Sequence, residues 1–256
     1  SRALRTRVGR AKLAHMGTKS TPPVGGYPPP LDQLLGLGVP FTRGPKWRDY
    51  RQMGVGPGHV PDLIRMVCDP ELNEAFQDDP RVYAPLHAWR ALGQLASPEA
   101  AAPLVQALVQ QIGDEFANEE LPKVLGMIGA ASVEPIAAVV ADPAMAEDTR
   151  ISAAGALEEI ARQHPELRER CVDALVRQLE CWAEQPKALN AYLIHSLVEL
   201  GAVEAAPLME AVFEAERAEI TVRGDWQDVR VDLGLLPERR TPRPLVKQDR
   251  ERNPRK

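Results

Sequence analysis

Aromatic residues are scarce in this 256-residue chain, at 5% of the sequence, and cysteine occurs only three times. A core with so few rings must be built mainly from Ala, Leu and Val, which suits close-packed helices better than sheets. An all-β fold is therefore not expected. Cys68, Cys171 and Cys181 form no CxxC pair. If the last two share a helix, their separation is roughly 15 Å of axial rise, beyond disulfide reach. That usage points to a reducing, cytoplasmic setting and to no structural zinc. No apolar run approaches the ~18 residues a membrane helix needs, and no signal-peptide apolar region follows the basic start, so no membrane partner is expected.

The net charge of -5 hides a strong segregation. Residues 1–20 carry +6 and residues 237–256 carry +5, which leaves -16 on residues 21–236. A body this acidic is a poor match for a phosphate backbone, so nucleic acid is expected to engage at most the basic ends. The opening stretch, with Arg2, Arg5, Arg7, Arg10 and Lys12, reads as a basic arm, a presequence or residue from an upstream reading frame, with Met16 a plausible start.

Between Thr21 and Pro61 nine prolines and repeated glycines prevent long helices. Short pieces fit at Leu31 to Leu35 and around Trp47, Asp49 and Tyr50, whose aromatics suggest a segment laid over a neighbouring helix. From Val60 onward the periodicity is helical. Asp69-Pro70, Asp79-Pro80, Asp142-Pro143 and Ser97-Pro98 each place a capping side chain directly before a proline suited to the first helical position, and each predicts a helix start. Anchor leucines at Leu92, Leu125, Leu157 and Leu197 recur 33, 32 and 40 residues apart. After three of them a second landmark opens another apolar-periodic helix: Ala102-Pro103-Leu104, Glu134-Pro135-Ile136 and Ala206-Pro207-Leu208. The reading is four helix-turn-helix units between about 83 and 216, with an imperfect one near 59 to 76.

The recurring anchor leucine, the short turn (Ser97-Pro98-Glu99-Ala100, Ala202-Val203-Glu204-Ala205) and the proline-led second helix resemble HEAT repeats, specifically the short phycobilisome-lyase-like subclass. The resemblance covers roughly residues 60 to 216 and implies an all-α fold, an α-α superhelix (solenoid) of stacked helix pairs behind an irregular Pro/Gly-rich N-terminal segment. The expected layout is a basic, then Pro/Gly-rich disordered tail over 1–30, a repeat body over 31–236 and a disordered basic tail over 237–256. Trp47 and Trp226 are expected to serve as lids at the two ends. The resemblance also implies possible bilin lyase chemistry or chaperone-like handling of a cofactor-bearing protein, although nothing in the residues selects a bilin.

Catalytic and metal motifs are missing. His15, His59, His87, His164 and His195 are never followed by Glu, which removes the di-iron His-Glu pattern known on HEAT scaffolds. No Gly-x-Ser-x-Gly elbow or phosphate-cradling loop occurs. The three cysteines read as buried small apolar residues. No cofactor, metal or catalytic residue is assigned. The candidate binding residues are His87, Trp89 and Arg90 on one helix, with His59 and Asp62 from the preceding unit and Lys123 and His195 aligned with Arg90 along the stack, a row that Gly155 breaks. Two readings stay open for the first three: an exposed recognition ridge, since Trp and Arg are over-represented at interface anchors, or a Trp89 that plugs a gap between repeats beside a polar pair facing water. The functional expectation is a non-catalytic scaffold that binds an unidentified protein over an extended repeat surface. A nucleic-acid-binding role is the further alternative.

Overall fold

The computed structural model describes residues 26–40, 47–76, 78–111 and 113–244. Among them there are twelve α-helices, several 3₁₀ turns and no strand. The chain divides into two compact units, residues 1–135 and 136–256.

In the first unit, α1 (Val60–Cys68) buries Val60, Leu63, Met66 and Val67, the i, i+3, i+6, i+7 stripe of an amphipathic helix. The short α2 (Pro70–Asn73) starts where Asp69 accepts the Glu71 amide at 3.0 Å. Asp79 caps the 3₁₀ turn Pro80–Tyr83 in the same way through the Arg81 amide. Then come α3 (Ala84–Leu95) and α4 (Ala101–Gln110), joined by a turn that begins at Ala96 in the left-handed region. Next follow α5 (Glu115–Ile128) and α6 (Ala130–Ala141), separated by one residue, Gly129, whose φ of 77° only glycine adopts without strain. The boundary between the units falls inside α6. Helices α1, α3 and α5 pack in sequence, with α4 lodged against α1 and α5.

The second unit continues with α7 (Glu147–Gln163), α8 (Arg168–Leu179), α9 (Lys187–Glu199) and α10 (Ala206–Glu214), closed by α11 (Ile220–Arg223) and α12 (Trp226–Asp232). Helices α7, α8 and α9 pack mutually, α11 covers α9, and α12 covers α10. The fold class is therefore all-α, built of stacked helix pairs, and α3/α4, α5/α6, α7/α8 and α9/α10 are the four pairs that the leucine spacing predicts.

Several boundaries differ from expectation. Asp142 caps no helix. It closes the end of α6 and accepts the Ala144 amide at 2.8 Å, forming a turn before α7 begins at Glu147. Pro135 does not open its helix but lies inside α6, and Pro122 lies inside α5. Both are tolerated where one missing backbone donor is outweighed by the packing of the helix. Tyr27, assigned to a tail, is buried. Its hydroxyl donates to Asp69 at 2.8 Å, and the Arg65 guanidinium lies 3.9 Å from the centre of its ring.

The stretch from 237 is likewise held as far as 244. Arg239 bridges Asp225 (2.6 Å) and Asp228 (2.7 Å), and Arg243 reaches Asp228. These cations sit at the N-terminus of α12, where Asp225 caps the helix and Asp228 returns a bond to the Asp225 amide. Gly224 makes room for that cap, since a Cβ there would lie 2.1 Å from an Asp228 oxygen. Trp226 is only half-buried, tilted on Phe213 and donating to Glu210. The arms over 1–25 and 245–256, Met16 included, lie outside the described residues. Cys171 alone of the cysteines is buried, and burial pushes its thiol up to about 11.

Candidate functional site

The expected ridge is not on the surface. Helix α3 is buried on every side from Ala84 to Gly93, and His87, Trp89 and Arg90 are 3%, 0% and 4% exposed. The cause is the described part of the Pro/Gly-rich segment, whose residues 38–40 and 47–50 lie against α3 as the aromatics of 47–50 suggest. The Tyr50 amide donates to Gln94 Oε1 at 2.9 Å, and Gln94 Nε2 donates to the Arg48 carbonyl at 2.7 Å. Neither open reading survives intact. Trp89 is a core residue, but the polar pair beside it faces protein.

His87 is clamped between two elements of that segment. Nε2 is 3.0 Å from the Gly38 carbonyl, which can only accept, so this nitrogen carries the proton; Nδ1 then accepts from the Tyr50 hydroxyl at 2.7 Å. Burial drives the His87 pKa down to about 4, with Arg90 and Arg48 adding to the effect, and burial drives the Tyr50 hydroxyl up to about 12. Glu120 from α5 joins the network. It accepts from Trp89 Nε1 at 3.1 Å and from Arg90 Nε at 2.8 Å, and a second oxygen pairs with Arg90 Nη2. Burial opposes the Arg90 charge, yet the Glu120 carboxylate outweighs it and holds the guanidinium above its ordinary pKa. Arg90 also lies over the Trp47 ring at 5.0 Å. This constellation fastens a proline-rich segment to a helix and leaves no open surface.

The other candidates are scattered. His59 Nδ1 accepts the Gly56 amide at 3.0 Å, a local turn contact. Asp62 pairs with Arg65 one turn on, and Lys123 is exposed and paired with Glu119. His195, on α9, is half-buried and accepts from Arg223 at 3.0 Å. Among the described residues no group of three or more His, Cys, Asp or Glu is placed to hold a metal ion, and no helix is long and apolar enough to cross a membrane.

The surroundings of His195 form the more open surface. Arg150 reaches Gln185 just before α9, while Glu158 accepts from Ser196 eleven residues further along α9. Helices α7 and α9 therefore run side by side in the same direction, and Gly155 of α7 stands level with Tyr192 and His195. Tyr192 is 39% exposed, and a Cβ added at Gly155 would meet nothing among the described residues within 4 Å. Gly93, inside α3 of the first unit, is different: a Cβ there would press on Met127 and Val124 at 3.0 and 3.2 Å. Packing explains Gly93 and does not explain Gly155. Beside this opening Arg162 pairs with Glu158 and Glu159, and Arg223 pairs with Glu199 and Asp232. Burial raises the Glu158 pKa, whereas the Arg223 hydrogen bond lowers that of Glu199. Tyr192 and the acidic residues were missed from the sequence. The usable signal was Gly155 itself, a glycine in a helix interior.

Residues 86–110, which run from the first turn of α3 to the end of α4, match the PBS lyase HEAT-like repeat. Those residues thus carry a HEAT-like repeat. The matched repeat contains the encased helix, so its first helix is here enclosed by an N-terminal segment that the repeat itself does not supply. No curated protein and no solved structure matches the chain.

Proposed function

We propose that this protein is a non-catalytic protein-binding scaffold and that the α7/α9 face is its docking surface. One observation carries the reading. A helix-interior glycine costs about 0.5–1 kcal/mol relative to alanine, and at Gly155 no neighbour among the described residues requires its absence of a side chain. A partner lying close to α7 beside the exposed Tyr192 supplies a reason, because tyrosine is enriched at interface anchors. A photo-crosslinking residue placed at Tyr192 should capture a discrete protein from cell extract, while the same probe at Asp173, exposed on α8 of the same unit, should not. Equal labelling from both positions, or none from 192, would remove the α7/α9 face from consideration.

A further inference from the structure

We infer that the partner segment received by the α7/α9 face is basic, with an arginine seated over Gly155 against the ring of Tyr192. This rests on the docking reading above and adds the chemistry of the occupant. Four carboxylates (Glu158, Glu159, Glu199 and Asp232) surround two guanidiniums (Arg162 and Arg223), and each guanidinium is shared between two carboxylates. The patch therefore keeps uncompensated negative charge after all its internal pairs are made. Glu158 is 8% exposed and Glu159 lies beside it, so part of that charge sits where water screens it weakly. Gly155 lies one helical turn, roughly 6 Å, before Glu159 along α7, close to the reach of an arginine side chain. The open space over Gly155 receives the aliphatic stem, Tyr192 offers a ring face to the cation, and Glu159 and Glu158 take the guanidinium end. The wider field agrees in sign, since residues 26–244 carry -14. A neutral apolar segment would leave these carboxylates facing an uncharged neighbour, at a desolvation cost without return.

The test is direct binding of a fluorescent nonapeptide of alternating Arg and Ala to the full chain, with a Gln-for-Arg peptide as comparator. The arginine peptide should bind at least about tenfold more tightly than its glutamine counterpart. Gly155→Leu, which fills the opening without changing charge, and Tyr192→Ala should each weaken binding about fivefold or more, with thermal unfolding showing both variants folded. Glu159→Gln should weaken binding more than Asp173→Asn, which removes the same charge from α8. Arginine-peptide binding indifferent to Gly155→Leu, or equal losses from Glu159→Gln and Asp173→Asn, would reduce the effect to diffuse attraction and overturn the inference. A glutamine peptide that binds as tightly and is displaced by Gly155→Leu would overturn the basic class but leave the docking face standing. So would crosslinking at Tyr192 without any arginine-peptide binding. Failure of both the peptide and the crosslink would remove the scaffold reading as well.

Discussion

Arg90 and Glu120 pair with both side chains less than a tenth exposed, so removing one partner strands a charge away from water. Arg90→Ala should therefore cost about 3–5 kcal/mol in chemical denaturation, where an arginine facing solvent would cost under ~0.5 kcal/mol. Replacing the pair together, Arg90→Met with Glu120→Leu, should recover much of that loss. A neighbouring residue gives the fold a pH dependence. His87 is neutral in the native state down to about pH 4, whereas an unfolded histidine protonates near 6.5. Above about pH 6.5 both states are neutral and His87 contributes no slope. As pH falls from there to about 4 the unfolded state takes up a proton that the native state refuses, and roughly 3 kcal/mol of stability is lost. Denaturation curves at pH 7 and pH 4 should show that loss, and His87→Gln, which can still donate to Gly38 and accept from Tyr50, should show correspondingly less.

The end of α12 is an element whose stability is set from outside it. Two acidic groups in its cap and first turn, Asp225 and Asp228, are matched by Arg239 and Arg243 from the stretch that follows. Arg239 lowers the Asp225 pKa through its hydrogen bond, so the clip holds its charge well into acid. Cutting the chain after Pro244 should leave the melting temperature unchanged, while cutting after Leu236 should lower it, because Asp228 is then left at 7% exposure without its cations. Equal melting temperatures for the two truncations would show the clip to be energetically idle. Its salt dependence should follow: raised ionic strength should narrow the difference, as these cations are partly open to solvent.

Over the whole molecule, charge segregation bears on what the chain attracts. Residues 1–25 carry +6 and residues 245–256 carry +3, against -14 on residues 26–244. Any retention on immobilised nucleic acid should fall with salt and disappear in a 26–244 fragment, since phosphate affinity scales with the cations that neutralise it. Retention by that fragment would place a nucleic-acid surface on the acidic body and count against the charge argument. The same segregation is consistent with a body that receives basic segments.

The repeat was legible because leucines 32 to 40 residues apart and proline-led turns impose helix pairs through local physics: capping, φ restriction and a 3.6-residue apolar period. Those forces act within a dozen residues, and they place α3/α4 through α9/α10 without tertiary knowledge. Exposure is decided differently. Arg90 sits at a helical position that reads as surface, and long-range contacts with Pro40, Trp47 and Glu120 bury it. The likeness of Asp142-Pro143 to Asp69-Pro70 is equally local, and which of them starts a helix depends on where the next apolar stripe finds a partner. Gly155 shows the limit most clearly. Its cost to the helix can be read from one residue, but Tyr192, Glu199 and Asp232 join Glu158 and Glu159 of its own helix only through α9 and α12, elements brought together by packing.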